Sequence, residues 1–156
     1  MNVLLLDSYD DGRVERLRAK LGSQWSITTS AHTAPIDELA GRMEGADAIV
    51  TQHWHSTTPA APKAKLIQLP GAGFDAIDFA HVPTACAVCN VFEHEIGIAE
   101  YVVLALLESQ IHLARMHEHL RAGQWRDGYL STAPFHGELY GKRVGFIGFG
   151  HIAREA

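Results

Sequence analysis

Five short strand-like runs, "NVLLL", "SITTS", "ADAIVT", "KLIQLP" and "TACAVCNV", punctuate the first ninety residues. The first is apolar at successive positions rather than at every second one, so both of its faces must be buried. That is the mark of a strand inside a parallel sheet. Two intervening stretches carry apolar residues at helical spacing: Val14, Leu17 and Leu21, stopped by Gly22, and then Ile36, Leu39, Ala40 and Met43. Buried strands alternating with amphipathic helices predict an α/β fold with a parallel sheet.

A much longer helical signal follows, from Asn90 to a stop at Gly123. Asn90 with Glu93 three residues later resembles a capping box. The middle of this helix is apolar on nearly every side, which predicts that it is sandwiched between layers. The next stretch, "GQWRDGYLSTAPFHGELYGKR", reads as an irregular connection pinned by Trp125 and Tyr129.

Composition narrows the function. A net charge of −5, with 13 Lys and Arg among 18 Asp and Glu, leaves no basic stripe for nucleic acid or for an anionic membrane surface. The run after Met1 is too short for a secretory core, and the uncharged stretch Tyr101–Leu107 is far below the roughly 18–20 residues that span a bilayer. The two cysteines, Cys86 and Cys89, have a C-x-x-C spacing that can signal redox chemistry or half a zinc site. A strand context puts them on opposite faces, and no second ligand pair stands out, which favours buried thiols in a reducing, cytoplasmic setting.

Two glycine-rich turns carry the chemistry. Gly148-Phe149-Gly150-His151-Ile152-Ala153 is G-x-G-x-x-A directly after the strand-like "VGFI". In such a turn the first glycine allows the bend, the second lets backbone approach a pyrophosphate, and the small third residue lets helix and strand pack closely. A plain turn of small residues also fits the motif. The second is "LPGAGFDAID", where the amides of Ala72 and Gly73 can converge on an anion. A strand-to-helix turn with Asp75 as N-cap is the simpler account of the same residues. Among the ten histidines, His53 and His55 flank Trp54 and share one strand face. They are a metal pair, or they line a cleft or plain surface; with no third ligand visible, no metal site is assigned. His117 and His119 cannot share a helix face, and His94 between two acids needs only the helix dipole to explain it.

In order and register, "LIQLPGAGFDAIDFAHV", "AVCNVFEHEIGIAEYVVLALLESQIHLAR", "RAGQW" and "ELYGKRVGFIGFGHIAREA" resemble the D-isomer-specific 2-hydroxyacid dehydrogenase family over residues 60–156. The resemblance implies a flavodoxin-like parallel-sheet substrate domain over 1–92, an interdomain helix over 93–122, and the first strand and turn of a truncated Rossmann domain over 123–156. It implies that Ala72 and Gly73 grip the carboxylate of a small 2-hydroxy or 2-oxo acid. It also places Gly148, Phe149, Gly150, His151 and Ile152 at the pyrophosphate of NAD or NADP, and it implies a homodimer in the intact parent. The catalytic arginine, histidine and carboxylate of the family fall in the later Rossmann segment, so no catalytic residue is assigned within Met1–Ala156. The simplest expectation is the amino-terminal portion of a longer oxidoreductase, inactive by itself. The alternative is a non-catalytic module of the same fold that binds a small carboxylate or a protein partner.

Overall fold

The computed structural model describes residues 1–7, 9–125 and 135–156. Two compact units divide the chain, Met1–Phe92 and Glu93–Ala156.

The first unit is built on five parallel strands, β1 (Asn2–Leu5), β2 (Ser26–Thr29), β3 (Ala48–Val50), β4 (Leu66–Gln68) and β5 (Ala87–Cys89), in the spatial order β2-β1-β3-β4-β5. This is the flavodoxin-like order, with its topological switch between β1 and β3. Register places Val3 between Ile27 and Ala48, and Ile67 between Ile49 and Val88. The central strands are apolar because both faces are covered: Leu4, Ile49 and Ile67 are fully buried. The edge strands β2 and β5 are largely exposed, and Cys89 therefore faces solvent while Cys86 is half-buried against the core. The expectation of two buried thiols holds only in part, because β5 is the edge strand of the sheet among the described residues.

Helix α1 (Asp11–Leu21) starts where the Asp10 carboxylate accepts the Arg13 amide at 2.9 Å. It ends at Gly22, whose φ of 81° is cheap only for glycine. Its Val14, Leu17 and Leu21 form the half-buried face that spacing predicts. Helix α2 (Ile36–Glu44) sends Leu39 and Met43 into the core, while Ile36 stays exposed.

Burial raises the pKa of the Cys86 thiol, with Lys65 opposing the shift. Less thiolate at a given pH means slower alkylation. Peptide mapping after brief iodoacetamide treatment near pH 8 is expected to find Cys89 modified well ahead of Cys86; the reverse order would contradict this environment.

In the second unit the expected single helix is two, α3 (Glu95–Ile111) and α4 (Leu113–Arg121), bent by 58°. His112 sits between them in the left-handed region, at φ 57°. The break is stabilised locally, because the Glu108 carboxylate accepts the amides of Leu113 and Ala114 at 2.9 and 3.3 Å. Those are orphan donors at the new helix start, and a carboxylate there also suits the dipole. No single helix among the described residues is long and apolar enough to cross a membrane. The capping box is not formed either: Glu93 has φ 67°, the helix begins at Glu95, and the Asn90 side chain is engaged elsewhere. Among the described residues α3 buries only Ala99, and Ile96, Tyr101 and Leu104 are exposed, so the expected sandwich is not present.

A last short helix, α5 (His151–Glu155), packs on α3, with His151 Nδ1 3.5 Å from Glu95 Oε1. The strand expected over 144–147 is not formed. A strand exists only as part of a ladder, and no described residue pairs with this backbone. Trp125 is exposed rather than pinning its segment, and Tyr129 lies outside the described residues.

Candidate functional site

In an open parallel sheet, ligands bind beyond the carboxyl ends of the strands. Here that edge carries two sets of polar groups.

The first is the loop after β4. Three consecutive carbonyls of this loop are held by the segments that follow two other strands, β3 and β5. Gly71 O accepts from the Val91 amide at 3.3 Å, Ala72 O from Asn90 Nδ2 at 2.8 Å, and Gly73 O from Gln52 Nε2 at 2.7 Å. The peptide bonds of the described residues are trans, so each N–H points away from the carbonyl of its own peptide. Holding Gly71 O and Ala72 O toward the chain beyond β5 therefore turns the amides of Ala72 and Gly73 the other way. Neither amide has a partner among the described residues. Space is tight at Gly71, where an added Cβ would stand 3.3 Å from Gln52 Oε1.

The far end of the loop is fixed as firmly. Beyond β3, Trp54 pairs with Ile77: its amide donates to Ala76 O at 2.9 Å, and its carbonyl accepts the Asp78 amide at 2.8 Å. The Trp54 ring is buried, and its Nε1–H donates to His81 O at 3.0 Å. Asp78, not Asp75, is the capping residue, accepting the Ala80 amide at the head of a 3-10 turn, Phe79–His81. Spacing singled out Ala72 and Gly73 but missed Gln52, Trp54 and Asn90, which hold them. Asn90 had a competing local meaning as a helix cap, and Gln52 carried no local signal at all.

The second set lies at the switch point. Asp7 follows β1, His32 follows β2, and Thr51, His53 and His55 follow β3. His32 Nε2 is 3.2 Å from Asp7 Oδ1 and 3.0 Å from Thr51 Oγ1. The Thr51 hydroxyl also meets the His53 amide at 3.1 Å. The rings of His32 and His53 are edge to face with centroids 5.4 Å apart, and His55 stands 6.1 Å beyond His53. Alternation across the pleat accounts for the pair, since Trp54 is buried and both flanking imidazoles are exposed. Asp7, His32, His53 and His55 border a cleft of about 470 Å³ that includes Ile36, Thr57 and Pro59. Burial and the nearby Asp7 carboxylate raise the pKa of Tyr9, against an opposing pull from Arg13. The Tyr9 hydroxyl is buried without a partner among the described residues.

In the second unit, Gly148 has φ 88° and Gly150 stands as the N-cap of α5. An added Cβ at either glycine would meet nothing within 4 Å, so the turn is open around its backbone. Phe149 is exposed, and His151 and Ile152 open the helix. The positive φ, the open cradle and the helix start suit a pyrophosphate.

No protein-family model matches the chain. Among solved structures, a 2-hydroxyacid dehydrogenase from Ketogulonicigenium vulgare Y25 superposes with a TM-score of 0.72 at 23% identity, over 99% of this chain and 49% of that one. The pyruvate reductase of Chlamydomonas reinhardtii gives 0.62 at 22% identity, over 99% and 46%. The fold is that of the 2-hydroxyacid dehydrogenases. A curated relative, D-3-phosphoglycerate dehydrogenase of Mycobacterium leprae, is 32% identical over 97 residues, which are 61% of this chain and 18% of the relative. The chain is thus similar to D-2-hydroxyacid dehydrogenases, and it spans about half the length of those solved structures and less than a fifth of the curated relative.

Proposed function

We propose that this chain supplies the substrate-gripping part of an NAD(P)-dependent oxidoreductase acting on a small 2-hydroxy or 2-oxo acid. The observation that carries the reading is the pair of aimed, unpartnered amides of Ala72 and Gly73. They offer two donors to a carboxylate, and ionised acceptors make the stronger hydrogen bonds. The backbone around Gly148, Phe149, Gly150, His151 and Ile152 would hold the cofactor's pyrophosphate. The nicotinamide, when bound, supplies or accepts the hydride at the carbon bearing the hydroxyl or carbonyl. The loop fixes the acid's orientation and excludes water from one side of it. No group of Met1–Ala156 is assigned the proton transfer.

The same reading divides the chain into a substrate domain over 1–92, a connecting helical segment over 93–122 and the start of a cofactor domain over 123–156. It includes a homodimer, supported by the exposed apolar surface of α3 at Ile98, Tyr101 and Leu104. It also includes a reducing, cytoplasmic setting, which suits two free thiols.

The purified 156-residue chain, given NADH with glyoxylate or pyruvate, is expected to show no turnover above the uncatalysed rate. Turnover by the chain alone would overturn the absence of a proton-transfer group within it. Carboxylate binding that persists with no response to any nicotinamide cofactor, even beside a downstream cofactor domain, would favour a non-catalytic binding module.

A further inference from the structure

The cluster at the switch point has the makings of a metal centre, and none of its side chains is used by the substrate loop. We propose that Asp7, His32 and His53 bind a divalent first-row transition ion, with Zn²⁺ as the best match. The three side chains come from the ends of β1, β2 and β3, so the sheet itself brings them together. Their ligand atoms all lie within 4.8 Å of one another.

The closest pair already has the right separation. Asp7 Oδ1 and His32 Nε2 are 3.2 Å apart. Two ligands on zinc bonds of roughly 2.0–2.2 Å, that far apart, subtend about 100° at the metal, close to tetrahedral. In the empty cluster His32 Nε2 lies between the Asp7 carboxylate and the Thr51 hydroxyl. In the bound form the neutral imidazole carries its one ring proton on Nδ1, so that the Nε2 lone pair and the carboxylate face the ion together. His53 is an exposed side chain and closes the triangle by rotating about its own bonds. Two imidazoles and one carboxylate are borderline and hard donors together, a set that suits zinc and disfavours calcium or magnesium, which prefer oxygen alone.

Thr51 fixes the segment that carries His53: its buried hydroxyl accepts the His53 amide at 3.1 Å. Its contact to His32 Nε2 in the empty cluster is the one the ion replaces. The fourth metal position faces the cleft beside Ile36, Thr57 and Pro59, open to water or to an oxygen-bearing ligand. No residue close in sequence to His53 and His55 offers a third ligand. The partners stand 21 and 46 positions upstream of His53, where no local motif reaches.

The test uses the whole chain stripped with a chelator and titrated with Zn²⁺ by calorimetry. One equivalent is expected to bind, and Asp7→Asn and His53→Ala should each weaken it by at least about tenfold. His53 is exposed, so its replacement leaves the core intact, and melting in the absence of metal checks both variants. Zn²⁺ should raise the melting temperature of the parent chain far more than that of either variant. Co²⁺ in place of zinc should give visible absorption bands of a tetrahedral site, lost in both variants. A His117→Ala/His119→Ala double variant and a Cys86→Ser/Cys89→Ser double variant should bind as the parent does. Failure to bind one equivalent overturns the proposal. So does binding that survives both Asp7→Asn and His53→Ala, or that disappears in either control.

Discussion

Trp54→Ala should cost the first unit about 3–5 kcal/mol, the usual range for removing a buried aromatic side chain. Trp54 is among the largest fully buried side chains, packed in the cluster that holds Ile49, Ile67, Leu69 and Ile77. The alanine variant loses that packing and leaves a void, and it also strands the His81 carbonyl that accepts from Nε1. Trp54→Phe separates the two losses, because it keeps most of the apolar volume and removes the donor. Its cost should fall to roughly 1–3 kcal/mol, for the loss of a part-buried hydrogen bond plus a small void. Urea unfolding followed by far-UV circular dichroism measures both. A midpoint for Trp54→Ala within experimental error of the parent would mean the ring is not packed as described. Hydrogen exchange gives a second readout: the Asp78 amide, bonded to Trp54 O at 2.8 Å, should lose protection in the alanine variant.

The second large effect is expected at Asn90. Asn90→Ala leaves the Ala72 and Gly73 amides in the chain but releases the Ala72 carbonyl that Nδ2 holds at 2.8 Å. The Gly73 N–H is then free to turn away, and its charge-assisted bond, worth roughly 1.5–3 kcal/mol, is no longer preorganised. Titration of the ¹⁵N-labelled chain with glyoxylate should give saturable shifts at the Ala72 and Gly73 amides. In Asn90→Ala the affinity should fall by about tenfold or more, since each 1.4 kcal/mol is a factor of ten. An uncharged amide analogue of the acid should leave both amides unmoved. Equal affinity in parent and variant would show that the amides do not depend on Asn90 for their aim. Shifts elsewhere with these two unmoved would dismiss the loop as the carboxylate site.

Much of the fold is legible in the sequence because it follows from local patterns. The five strands, the faces of α1 and α2 and the stop at Gly22 all rest on spacing within a dozen residues. The elements read differently are those decided by distant or competing partners. "VGFI" has every local mark of a buried strand, but the ladder it needs is not formed among the described residues. The helix after Asn90 has no Gly or Pro at its bend, and the break at His112 depends on Glu108 reaching forward to two amides. The site divides in the same way. Ala72 and Gly73 stand out because glycine-rich turns after strands are recognisable locally. Gln52, Asn90, Asp7 and His32 contribute through contacts that only the sheet order creates.

The loop after β4 has a consequence for assembly. Its carbonyls are tied to Gln52, which follows β3, and to Asn90 and Val91, which follow β5. No single hairpin or βαβ unit can hold it, so its shape comes into being only once three strands are docked side by side. Such non-local closure comes late in folding, after most of the chain entropy has been spent. A ligand that recognises the finished loop binds the folded unit and not its half-formed precursors. By mass action it therefore tightens the whole sheet against unfolding, and the binding loop doubles as the clasp of the domain.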